Sequence, residues 1–229
     1  MDYYLAGYYL IKLNPLNWGS FSFKFIYSCS TCLNNSLLDS FSRSWTTNSD
    51  YLEEVKTDLK IDSAKIKRIQ EWTEQKDSEN KIGYMNIFYD IATAKEYRDN
   101  FFTDLENVKI FGLYLPRSES EDVINLFKSQ KENQGEIGIV HILRNSKRAS
   151  ENENIIGYDL IGIESDGSFH SFHCHDLYVN LNQQFGVQLN KYGLLESDLN
   201  WEELIKYMNN EENGFEPVPW CFAQVRLIG

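Results

Sequence analysis

The sequence predicts an α+β fold in which a mixed sheet carries helices, and three observations lead there. Residues 84–143 alternate strand-like and helix-like runs. An Asp-Gly pair at 166–167 separates two β-rich segments. Apolar residues recur at helical spacing in several separate stretches, as in Ile66, Ile69 and Trp72. No internal repeat, low-complexity tract or linker divides the chain, so residues 1–229 are expected to form one α+β domain.

The elements follow in order. Tyr3 to Leu13 is rich in Tyr, Leu and Ile and reads as a strand. After Asn14-Pro15 and the turn residues up to Gly19, the run FSFKFIY alternates Phe21, Phe23, Phe25 and Tyr27 with other residues, which predicts the second strand of an N-terminal hairpin. Residues 28–49 have loop composition. Two helices are expected next, the second starting behind Asp62 as its N-cap. Then come strand 84–90, helix 92–102, strand 108–115, a helix capped by Ser118 or Ser120, and strand 136–143. This β-α-β-α-β stretch suggests some parallel pairing. IIGYDLIGIE and SFHSFHCH form a hairpin around Ser165-Asp166-Gly167, with a type I′ turn expected. A helix behind Asp176, a helix from Asn200 bearing Trp201, Leu204, Ile205 and Met208, and a last strand in PVPWCFAQVRLI complete a hairpin-helix-helix-strand unit.

Charge narrows the functional classes. Against 22 basic residues stand 34 acidic ones, a net charge of −12, and no Lys/Arg stripe offsets it. Such a field repels phosphates and argues against direct nucleic-acid binding, while it favours basic protein partners. The N-terminus has neither the basic start nor the long apolar run of a signal peptide, and no stretch has the length of a membrane span, so the expectation is a cytoplasmic protein. Four cysteines in 229 residues are too few for a disulfide-built scaffold.

The chemistry-bearing residues concentrate in SFHSFHCHDL, which holds His170, His173, Cys174 and His175. On a strand, His173 and His175 share one face while His170, Phe172 and Cys174 share the other, so adjacency alone makes no nucleophile-base-orienter relay. A metal reading combines Cys29 and Cys32, a C-x-x-C pair, with His173 and His175 into a Cys2His2 zinc set, structural or hydrolytic. Packing and hydrogen bonding inside a covered hairpin remain the leading reading, with no metal and no cofactor expected. The sequence contains no phosphate-cradling glycine loop, nucleophile elbow or H-E-x-x-H, so no catalytic residue nominates itself and a non-enzyme is expected.

The C-terminal third carries a resemblance. GYDLIGIE (157–164), GSFHSFHCHDL (167–177), FGVQLNKYGLLES (185–197) and PVPW (217–220) resemble a pattern in uncharacterised bacterial proteins, some regarded as immunity proteins of polymorphic toxin systems. The resemblance implies a cytoplasmic antidote that binds a cognate toxin and blocks it without catalysis of its own. An acidic chain suits a toxin with a basic cleft, such as a nuclease. The stretch EENGFEPVPW (211–220) offers Glu211, Glu212, Glu216 and Trp220 as partner-binding residues. Its other reading is that Phe215 and Trp220 pack beneath the loop.

Overall fold

The computed structural model describes residues 2–15, 23–38, 49–83, 87–127, 138–149, 154–174, 177–196 and 201–228. Its strands are β1 (Tyr3–Lys12), β2 (Asn35–Ser36), β3 (Ile82–Gly83), β4 (Ile87–Phe88), β5 (Val108–Pro116), β6 (Ile155–Ile163), β7 (Phe169–Ser171) and β8 (Trp220–Leu227). The helices are α1 (Ser49–Leu59), α2 (Ser63–Ser78), α3 (Ile91–Phe101), α4 (Arg117–Leu126), α5 (Gly138–Asn145), α6 (Leu177–Phe185) and α7 (Trp201–Met208), followed by a 3-10 turn at Glu211–Asn213. The strands make one sheet in the order β3-β4-β1-β5-β8-β6-β7, with β2 also paired to β1. The fold is α+β, as expected.

Every described strand pairing is antiparallel, which corrects the expected parallel pairing. The reason lies in strand order. β4 and β5 both run opposite to β1, so the connection through α3 does join strands of one direction. β1 sits between them, however, and takes the hydrogen bonds of both. The expected N-terminal hairpin is likewise replaced among the described residues: β1 pairs along its length with β5, and the run 23–27 contributes the isolated bridge Pro15–Phe25. Residues 21–22 of that expected strand, and 84–86 of the next, lie outside the described residues.

EIGIVHIL holds a helix rather than a strand over its described part, residues 138–143. Ile139, Ile142 and Leu143 follow the i, i+3, i+4 spacing and bury against the sheet, so helical period overrides the β-branched composition. The hairpin turn also differs from expectation. Only Gly167 has positive φ, at 90°, and the Gly167 N–H donates to the Glu164 carbonyl. That is a three-residue connection in which Gly167 takes the left-handed position after a tight turn, as the longer hairpin loops do. α4 starts directly behind Pro116 without a side-chain cap; the Ser120 hydroxyl instead donates to the Pro116 carbonyl.

Three apolar clusters hold the sheet. One face, with Tyr9, Ile11, Phe111, Leu113, Ile161, Ala223 and Val225, is covered by Val123 of α4 and by Ile139 to Leu143 of α5. On the other face, Leu10, Phe88 and Ile110 pack under α1, α2 and α3. Leu160, Trp220 and Phe222 pack under α6 and α7, through Leu181, Leu204 and Met208. Burial on both faces explains why β1, β5 and β6 read as nearly continuous apolar runs rather than alternating ones. Among the described residues, no helix is long and apolar enough to cross a membrane.

Candidate functional site

The open edge of the sheet, β6 and β7, meets the segment 23–38, and their junction is polar. β6 carries a carboxylate into the interior: Asp159 is 1% exposed. Its two oxygens accept from the Ser28 and Ser171 hydroxyls, both at 2.7 Å. Ser28 Oγ in turn accepts from the Ser30 amide, and Ser171 Oγ from the His173 amide. One buried carboxylate thus pins both the loop and the end of β7. Burial raises Asp159 to about 6, against the downward pull of the two serine hydroxyls. Asn34 fastens the same loop, donating to the Ile26 and Ser28 carbonyls at 3.0 and 2.8 Å.

The loop then turns. Both Leu33 and Asn34 amides donate to the Ser30 carbonyl, and the turn sends the two cysteines of the C-x-x-C pair in different directions. Cys29 is buried in the apolar cluster beneath α4 and α5, and burial pushes its thiol well up. Cys32 is exposed, and its Sγ lies 3.1 Å from His170 Nδ1. His170 stands on β7 opposite Gly162. Its other nitrogen, Nε2, lies 3.0 Å from Glu164 Oε1 and 3.3 Å from Glu216 Oε2.

β7 ends at Ser171, short of the expected strand 168–175, so strict alternation stops there. The chain turns, Phe172 enters the cluster under α6 and α7, and Cys174 Sγ comes to 3.5 Å from the Ser30 hydroxyl. The ligand-type atoms of Cys32, His170 and Cys174 all lie within 4.8 Å of one another. Hydrogen bonding from Cys174, helped by Ser30 and the nearby imidazole, lowers the Cys32 thiol to about 5 against the opposing effect of desolvation. Cys174 moves the opposite way, because its proton is shared towards Cys32 and it is buried. For His170, burial disfavours the charged form, but Cys32 and the glutamates outweigh it and raise the imidazole above its ordinary value.

The residues chosen from sequence fare differently. The Cys29, Cys32, His173, His175 zinc set is not brought together. Cys29 faces the core, and His173, 1% exposed, has its Nε2 hydrogen-bonded to the Gly193 carbonyl. Burial lowers His173 to about 4, so it is a neutral packing histidine at neutral pH, in keeping with the packing interpretation. His175 lies outside the described residues. Trp220 is corrected from a partner-binding residue to a core residue: it is 2% exposed, and its indole N–H donates to the Glu216 carbonyl. Phe215 packs edge-on against it, 6.1 Å between centroids. Glu211 and Glu212 are exposed, and Glu216 is half-buried against His170.

Sequence reasoning grouped His170 with Cys174 but missed Cys32, Glu164 and Glu216 as their companions. The hairpin register offers a signal for Glu164 alone, which sits across the turn from His170. Elsewhere, an open cleft of about 400 Å³ is lined by Tyr8, Tyr89, Tyr114 and His141 among others, with the Tyr89 and His141 rings stacked at 4.5 Å. In comparisons with protein-family models, curated proteins and solved structures, none matches the chain.

Proposed function

We propose that the protein is a non-catalytic interaction protein: a cytoplasmic immunity protein that binds a cognate bacterial toxin through an acidic surface and so neutralises it. The observation that carries this reading is the mounting of Glu211 and Glu212. Both stand exposed on a short 3-10 turn. The Glu212 amide donates to the Asn210 side chain, and the Asn213 side chain donates to the Tyr207 carbonyl. Asn209 brackets Trp220, accepting from its amide at 2.9 Å and donating to its carbonyl at 3.2 Å. Two carboxylates are thereby held on a fixed support, which limits the ordering cost of association. A chain of net charge −12 adds a field that speeds encounter with a basic partner. The resemblance of segments 157–164, 167–177, 185–197 and 217–220 to uncharacterised bacterial proteins, some regarded as immunity proteins, points the same way.

The test uses the protein product of the gene adjacent to this one, with association rates measured across ionic strength. Reversing Glu211 and Glu212 to Lys is expected to slow association about tenfold or more at low salt, with the difference shrinking as salt rises. Glu216 is left intact because it also touches His170. Equal rates for wild type and the double variant at every salt concentration remove this surface from the interface. A neighbouring product that neither binds nor is inhibited removes the immunity reading.

A further inference from the structure

We propose that Cys32, His170 and Cys174 form a binding site for one thiophilic divalent cation of the zinc class, with Glu164 and Glu216 orienting the imidazole from behind. The assignment is independent of the toxin-binding interpretation and rests on the convergence of three donor atoms from separate stretches of backbone.

The two sulfurs and a ring nitrogen of His170 lie within 4.8 Å of one another, and Nδ1 is the nitrogen that faces Cys32. A tetrahedral zinc ion, with Zn–S near 2.3 Å and Zn–N near 2.0–2.1 Å, holds its ligand atoms about 3.5–3.8 Å apart. The Cys32–His170 contact, 3.1 Å, therefore has to open by about half an ångström to admit the ion. Cys32 is the exposed member of the trio, so that movement needs no repacking of the core. The other two ligands are firmly placed: His170 belongs to the β6–β7 ladder, and Cys174 is buried beside Ser30.

Three features favour a metal over the other uses of these groups. First, the imidazole presents Nδ1 to sulfur and Nε2 to carboxylate oxygen, at 3.0 Å from Glu164 and 3.3 Å from Glu216. A metal-bound histidine takes this outer-shell arrangement, which fixes its tautomer and raises its basicity. Second, a Cys-His-carboxylate nucleophile needs one thiol on the base, whereas here a second sulfur stands in the same cluster. Third, two sulfurs and one nitrogen are soft to borderline donors, which select zinc over magnesium or calcium. A fourth donor from solvent or from the chain completes the tetrahedron.

The full-length protein, purified without a metal-binding tag and kept reduced, is titrated with zinc and separately with cobalt(II) as a spectroscopic probe. One ion per chain and a thiolate-to-cobalt charge-transfer band are expected. Cys32→Ser alone is expected to weaken zinc at least tenfold and to diminish the band; this exposed position keeps the test valid where Cys174→Ser or His170→Gln fails to fold. Glu164→Gln and Glu216→Gln are expected to weaken zinc by about 10–100-fold while the band remains. Cys29→Ala, a change in the core cluster, is expected to leave stoichiometry and band unchanged in folded protein. Absence of binding to the reduced protein overturns the proposal. So does binding that survives Cys32→Ser at full affinity, or binding lost only with the glutamates. If zinc is not bound and mild oxidation instead joins Cys32 to Cys174, the trio is a dithiol pair and the metal assignment fails.

Discussion

The two flanks of the sheet share its strands but are held by different forces. At the β3-β4-β1 flank, Phe88, Tyr97, Phe101, Phe102 and Trp72 form an aromatic lattice with centroid separations such as 4.8 Å for Trp72–Tyr97 and 5.2 Å for Tyr97–Phe102. Asp62 and Asp90 cap α2 and α3 there. At the β6–β7 flank, Ser28, Ser30, Asn34, Asp159, Ser171 and His173 are all buried and joined by hydrogen bonds. The first flank is stabilised by apolar burial. A polar interior is expensive unless every member is satisfied. Placing such a network directly beneath Cys32, His170 and Cys174 fixes those side chains more tightly than apolar packing alone.

The largest effect expected from breaking this contrast is at Tyr97. It is fully buried among four rings, and its hydroxyl donates to the Leu37 carbonyl at 3.0 Å. Tyr97→Ala is expected to cost about 3–5 kcal/mol, measured by chemical denaturation. Tyr97→Phe removes only the hydroxyl and should cost about 1 kcal/mol. Similar losses for the two variants would mean that the aromatic flank depends on its hydrogen bond, not on its packing.

The second prediction concerns the polar flank and comes from two opposed titrations. Asp159 is raised from 3.8 to about 6, so the folded state holds a proton that the unfolded chain releases first. Stability from this group is therefore lost as pH rises through 4 to 6. His173 is lowered from 6.5 to about 4, so the unfolded chain binds its proton first, and stability is lost as pH falls through the same range. Each shift corresponds to about 3 kcal/mol, and in wild type they largely offset. Asp159→Asn leaves His173 acting alone, so the variant should gain about 3 kcal/mol relative to wild type between pH 4 and 6.5. Parallel stability profiles for the two proteins would rule out this pairing.

The flanks also differ in how far the sequence reveals them. α2 is legible because its signals are local: Asp62 accepts from the Lys65 amide as its N-cap, and Ile66 and Ile69 repeat at helical spacing. The β6–β7 hairpin is legible for the same reason, through Asp166-Gly167. Pairing across sequence distance is not. β1 takes β5 as partner about a hundred positions away, which no hairpin signal announces. Cys32 reaches His170 across 138 positions, by way of a turn that Ser30 and Asn34 form and a carboxylate on β6 that ties the loop down. Spacing made Cys29 and Cys32 look like a pair, but the direction of each side chain depends on that distant anchorage. Likewise, β-branched Ile139, Val140 and Ile142 suggest a strand until the buried positions are counted at helical spacing.

The smallest effect, and the sharpest contrast, lies between two aspartates on opposite flanks. Asp90 caps α3: its Oδ1 accepts from the Thr93 amide at 2.8 Å and from the Thr93 hydroxyl at 2.9 Å. Burial acts upward on it, but these bonds and Lys81 at 3.2 Å together draw its carboxyl below the ordinary value. Here the folded state releases the proton first. The stabilisation is therefore present above the unfolded value of 3.8 and is lost as pH falls through the lowered folded one. Asp159 does the reverse, although both carboxylates accept hydrogen bonds from protein donors. The difference is burial: solvent and Lys81 support the charge at Asp90, whereas Asp159 is enclosed in its serine cage. Asp90→Ala should cost about 1 kcal/mol at pH 7, as loss of an N-cap does. That difference should shrink towards zero as the medium is acidified through the carboxyl's titration. A loss that stays constant into acid would show that the cap works through its neutral form, and the charge-based contrast between the two flanks would not hold.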